Sequence, residues 1–143
     1  MNIADNVIIS APADDVWRVF TDVEHWSDWT ASVTRAEFVA GAGVGAGARV
    51  RMKQPRMPVM TWEVTEYDPG VSWSWVARSP GVVTVARHRL TPQGAGATLV
   101  EQEIEHSGPL AGIVGRLTAG RTRRYLALEA AGLKERCEAA ARA

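Results

Sequence analysis

A chain of 143 residues, 46% hydrophobic and 22% charged, is long enough to bury its own core and is sized for one domain, expected to span residues 1–143. Sixteen basic and sixteen acidic residues give no net charge, a balance that favours neither nucleic acid nor an anionic membrane surface as a partner. A lone cysteine, Cys137, excludes an internal disulfide, and the opening "MNIADNVIIS" lacks the basic start and apolar run of a signal peptide or membrane span, so a cytoplasmic chain without stable membrane insertion is expected.

"NVIIS" is a β-branched run and predicts a strand, which "AP" stops. Asp14 and Asp15 sit where a helix N-terminus welcomes negative charge, and Val16, Trp17 and Phe20 supply the apolar patch of a short helix. Val23, Trp26 and Trp29, spaced by three, predict a further helical turn or two. The period then changes to two. "SVTRAEFV" is a strand and "GAGVGAG" a turn. "ARVRMK" places Val50 and Met52 opposite Arg49, Arg51 and Lys53, and "MTWEVTEY" places Met60, Trp62 and Val64 opposite Thr61, Glu63 and Thr65. "DPG" turns the chain into "VSWSWVAR", with Trp73 and Trp75 inward and Ser74 outward. "VVTVARHRL" and "ATLVEQEIEH" are two more strands, and a helical pattern runs from Leu110 almost to Ala143. Short links between successive strands predict antiparallel neighbours, with the long helix covering the apolar face of the sheet.

Few motifs carry chemistry. "GAGVGAG" lacks the Lys-Ser/Thr of a phosphate loop and leads into a strand, so it reads as a turn. There is no GxSxG, and His25, His88 and His106 lack metal-ligand spacing, so neither a metal nor a cofactor is expected. Glu101, Glu103 and Glu105 share the solvated face of their strand, which turns Gln102 and His106 inward beside Val100 and Ile104. If Leu90 points inward, so does His88. On the long helix, Arg121 falls on the stripe of Leu110, Val114, Leu117 and Leu128. Leu126, Leu133 and Cys137 form a rotated stripe, and a bend at Gly120 would put Arg121 at an edge.

Six tryptophans are many for one small core. Trp62, Trp73 and Trp75 point inward from two strands, Trp26 and Trp29 approach from the helical region, and several polar groups share the interior. That combination suits an apolar cavity with a few directed hydrogen bonds.

The order of motifs resembles the polyketide cyclase/dehydrase-like branch of the START and birch-pollen-allergen (SRPBCC) superfamily. "IISAPADDVWRVFTDVEHWSDW" is similar to its opening strand, Ala-Pro, Val-Trp and second-helix Trp. "VTEYDPGVSWSW", "HRLTPQGAGATLV" and "LEAAGLKERCEA" resemble its later hairpins and closing helix. The resemblance implies an α+β helix-grip fold: about seven curved antiparallel strands wrapped around a long C-terminal helix, with two short helices after the first strand. It also implies a hydrophobic, aromatic or polycyclic small-molecule ligand, bound by a carrier or by a polyketide cyclase/dehydratase, in a monomer or homodimer. The alternative is a non-catalytic partner-binding module, co-chaperone-like or toxin-like, acting through its outer surface. A continuous cavity reaching Trp62, Trp75 and His88 would discriminate for the ligand. The expected contact set is Trp26, Trp29, Met52, Trp62, Trp73, Trp75, His88, Gln102, His106, Leu117, Arg121 and Tyr125. The candidate proton carriers or carbonyl polarisers are His88, His106 and Arg121.

Overall fold

The computed structural model describes residues 2–142. Strand β1 (Asn2–Ile9) leads into helix α1 (Ala13–Thr21) and a 3-10 helix (Val23–Asp28). Strands β2 (Arg35–Ala40), β3 (Arg49–Lys53), β4 (Met60–Asp68), β5 (Ser72–Ser79), β6 (Val82–Pro92) and β7 (Thr98–Ser107) follow, and helix α2 (Ala111–Arg142) closes the described chain. All strand pairs are antiparallel, in the order β1-β7-β6-β5-β4-β3-β2. This is the helix-grip arrangement: β2 to β7 meander, β1 returns to pair with β7, and α2 lies across the concave face of the curved sheet.

The junction before α2 is tightly built. Gly108 has φ 105°, open to glycine but strained for other residues, and a Cβ there would lie 2.7 Å from the carbonyl oxygen of Gly81. The same carbonyl accepts the Leu110 N–H at 2.9 Å, which ties the start of α2 to the β5–β6 turn.

Alternation sets the sheet faces as expected. Val50, Met52, Trp62, Val64, Trp73 and Trp75 are buried, while Arg51 is exposed and Glu63 half-buried. Ser74 departs from expectation: it lies on the opposite face from its tryptophan neighbours, yet is only 7% exposed. Its register partners are Glu66 and Arg87, and a short side chain between two long ones is covered without entering the core. Arg87 also spans Glu103 (2.7 Å) and Glu105 (2.8 Å) on this outer face.

The stripe expected on the first half of α2 is not the buried one. Leu110 and Leu117 are exposed, and the helix instead buries Ala111, Gly115 and Ala119 at every fourth position. Ala119 packs with Ile3 and Leu126. Small side chains let the helix sit close to the sheet, and close approach, rather than side-chain size, decides which face turns inward. From Leu126 onward the buried face is that of Leu133 and Cys137, as the second stripe predicts.

Candidate ligand cavity

One end of the concave face is filled. Val16 and Phe20 of α1 and Trp26 of the 3-10 helix are buried there. Phe20 stacks on Trp26 (centroids 5.7 Å apart) and meets Trp73 edge-on at 4.8 Å, while Trp17 closes over Trp73 and Tyr67. The Trp26 indole N–H donates to the Phe20 carbonyl at 2.9 Å, which locks the ring in place. Trp29 tilts against Trp26 and backs onto α2 so closely that a Cβ at Gly132 would lie 1.9 Å from the Trp29 carbonyl oxygen.

Beyond Trp26 the interior is hollow. A cavity of about 230 Å³ runs between the sheet and the middle of α2. Space on the order of 10–15 Å³ already admits one water. Trp26, Met52, Met60, Trp62, Trp75, Ala86 and Ile104 give it largely apolar walls, and Thr84, His88, Gln102, His106 and Glu129 bring polar groups. We place the mouth where the lining nears solvent, between exposed Pro58 with half-buried Gln54 and Met57 on one side and half-buried Val114, Thr118 and Arg121 of α2 on the other. Arg121 donates to the Arg56 carbonyl at 3.1 Å, and the Tyr125 hydroxyl donates to the Pro55 carbonyl, so two side chains strap this segment to the helix.

The polar floor has a defined chemistry. The His88 ring stacks on Trp73, with centroids 4.0 Å apart and planes 13° apart, and its Nδ1 lies 3.1 Å from the Trp73 carbonyl oxygen. A carbonyl only accepts, so Nδ1 carries the proton and Nε2 keeps a free lone pair. Burial lowers the His88 pKa to about 3, which keeps the ring neutral. Glu129, also buried, accepts hydrogen bonds from Gln102 Nε2 (3.1 Å) and Ser32 Oγ (3.2 Å). Burial pushes its pKa up to about 7, and the two donors offset part of that rise. Gln102 stands opposite His88 in the β6–β7 register, so it sits between the imidazole and the acid. His106 shares a hydrogen bond with Thr84 at 3.0 Å, and burial lowers its pKa. Among the described residues, the Trp62 and Trp73 indole N–H groups are buried without an acceptor.

Residues 2–138 match the family model described as polyketide cyclase / dehydrase and lipid transport. The chain belongs to this family. Its fold is shared by START-superfamily structures. The aromatase/cyclase Zhui from a Streptomyces species matches with a TM-score of 0.79 at 19% identity, over 96% of this chain and 93% of its own. A START superfamily protein from Mycobacterium smegmatis matches with a TM-score of 0.74 at 18% identity, over 96% of this chain and 97% of its own. The di-domain aromatase/cyclase BexL, at 17% identity and a TM-score of 0.73, aligns over 93% of this chain, which spans only 46% of that longer protein. Among curated proteins none matches by sequence.

Of the contact set expected from sequence, this family member brings Trp26, Met52, Trp62, Trp75, His88, Gln102, His106, Arg121 and Tyr125 onto the cavity wall. Three positions lie elsewhere. Trp73 is behind His88 and orients that ring, and Trp29 wedges the 3-10 helix against α2. Leu117 is 80% exposed, because the small-residue face of α2 turns inward in its place. Sequence reasoning passed over Glu129. Its signal was present: Glu129 falls between Leu126 and Leu133 at helical spacings of three and four, so it interrupts the buried stripe. Among the described residues no three His, Cys, Asp or Glu side chains converge to hold a metal ion.

Proposed function

We propose that this protein binds a hydrophobic, aromatic or polycyclic small molecule bearing hydroxyl or carbonyl oxygens. The supporting observation is the cavity itself. It is continuous, walled by Trp26, Trp62 and Trp75, and floored by an imidazole acceptor and a protonatable acid. Planar rings offer stacking area to a planar ligand, and the few polar groups select its orientation. A module acting only through its outer surface has no need of this hollow, so the cavity favours the ligand reading. The test is titration of a diverse panel of polycyclic phenols and hydroxyketones while following tryptophan emission. Quenching or shifting by at least one compound, weakened about tenfold by His88→Gln (roughly 1.4 kcal/mol), is the expected result. Emission and melting temperature unmoved by the whole panel would reject the reading.

Glu129 extends the reading from binding to turnover in the manner of a cyclase/dehydratase. An acid with a pKa of about 7 exchanges its proton readily near neutrality. As carboxylate, Glu129 takes a proton from the carbon beside a substrate carbonyl, leaving an enolate. As acid, it returns that proton to a β-hydroxyl, which departs as water while the carbon–carbon double bond forms. The carboxylate is regenerated, and the tryptophan walls hold the chain folded for ring closure. Glu129→Gln should keep ligand affinity within about threefold and lower dehydration by at least a hundredfold, as expected for a lost acid–base group. Unchanged turnover would remove Glu129 from the chemistry.

A further inference from the structure

The rim of the cavity carries a feature that the ligand site does not use. Between Ala111 and Leu128, α2 holds four arginines, Arg116, Arg121, Arg123 and Arg124, and no acidic residue. The neutrality of the whole chain conceals this local excess. Leu110, Ile113 and Leu117, about one turn apart at the start of α2, are 45%, 63% and 80% exposed. At 100° per residue, Ile113, Leu117 and Arg124 share one outward stripe, with Arg116 and Arg123 beside it. This stripe adjoins the face of Val114, Thr118 and Arg121, which borders the mouth. Across the mouth stands Arg56, exposed, its carbonyl holding Arg121.

A single exposed leucine needs no explanation, but large aliphatic side chains on successive turns, with arginine the only charged residue between Ala111 and Leu128, have the composition of a helix that lies in a lipid interface. We propose that the first half of α2, with Arg56, docks the cavity mouth onto an anionic lipid bilayer. Ile113 and Leu117 enter the boundary of the acyl chains, and Arg116, Arg123 and Arg124 meet the phosphates. Charge complementarity selects this occupant. A second copy of the chain would set arginine against arginine. The stripe is also a convex ridge, which suits a deformable apolar medium better than a shaped protein groove. Among the described residues no helix is long and apolar enough to cross a membrane, so the contact is peripheral. Phosphates at the rim compete with the Arg56 carbonyl for the Arg121 guanidinium, so docking loosens the strap at the place where a hydrophobic molecule would pass. The surface stands whatever the cavity holds.

Co-sedimentation of the full chain with vesicles tests this. Phosphatidylcholine vesicles are compared with vesicles containing about one third phosphatidylglycerol, at about 50 mM and about 500 mM salt. The expected result is binding to the anionic vesicles at low salt, at least tenfold weaker on phosphatidylcholine alone or at high salt. Ile113→Ser with Leu117→Ser should weaken it about tenfold at an unchanged melting temperature. Arg116→Gln with Arg123→Gln and Arg124→Gln should remove the preference for anionic lipid. No binding to anionic vesicles at low salt, or binding that survives both sets of substitutions, overturns the proposal. Binding to soluble polyglutamate but not to vesicles also overturns it and reassigns the surface to an acidic protein.

Discussion

The two ends of the concave face use the same kinds of residue to opposite effect. At the α1 end, Phe20, Trp26, Trp73 and the His88 ring interlock with centroids 4.0–6.3 Å apart. At the α2 end, Trp62 and Trp75 also pair at 5.7 Å, yet the space in front of them stays open. The difference lies in what covers each end. Two short helices press bulky rings into the first. Over the second, α2 contributes the short side chains of Val114, Thr118 and Thr122, while its longer Arg121 and Tyr125 turn to the carbonyls of Arg56 and Pro55. Large aromatics therefore make a core where their partners are large, and a wall where their partners are small.

The largest expected effect is on stability at the filled end. Trp73→Ala or Phe20→Ala should cost about 3–5 kcal/mol in urea unfolding, because each removes a ring packed on all sides. Trp62→Ala should cost less than either and should weaken ligand binding more. Equal stability losses for Trp62 and Trp73 would erase the distinction between the ends. Next comes Gly132→Ala, which drives a methyl into the Trp29 carbonyl and should destabilise by about 1–3 kcal/mol, read as a lower urea midpoint.

A smaller effect separates the buried titratable groups on the floor. His88, with a folded pKa of about 3 against an ordinary 6.5, contributes stability that is complete above pH 6.5 and drains away as pH falls towards 3. Glu129, at about 7 against an ordinary 4.5, contributes stability that is complete below pH 4.5 and is lost as pH rises to 7. Between pH 4.5 and 6.5 the two slopes oppose each other. Glu129→Gln removes one of them, so the variant should gain stability with rising pH across that window. Above pH 7 it should exceed the parent protein by roughly 1–3 kcal/mol. Thermal melts from pH 4 to 8 read both outcomes, and parallel curves for the two proteins would show that Glu129 is not desolvated.

Much of this contrast was legible in the sequence. Period-two runs such as "ARVRMK" fixed which residues of β3 and β4 face inward, since a strand offers only two faces, and the same parity placed His88 and Gln102 on the concave side. The helix was harder to read. Its apolar residues suggested a stripe through Leu110 and Leu117, but how closely a helix approaches a sheet depends on small residues whose hydrophobicity signals little. Glu129 was obscured for a related reason. A carboxylate on a helix is normally solvated, and only its partners Ser32 and Gln102, distant in sequence, make its burial tolerable. Ser74 was misjudged because parity gives the face of a residue and not the length of its neighbours.

The central claim is that the α2 end is hollow in order to hold a small molecule. Native mass spectrometry of protein purified from its own host tests it most directly, with Thr118→Trp, a substitution that fills the cavity from the helix side, measured in parallel. The expected result is a retained small molecule on the parent protein and the bare chain mass for the folded variant. Bare chain mass for the parent, or the same adduct on both proteins, would contradict the claim.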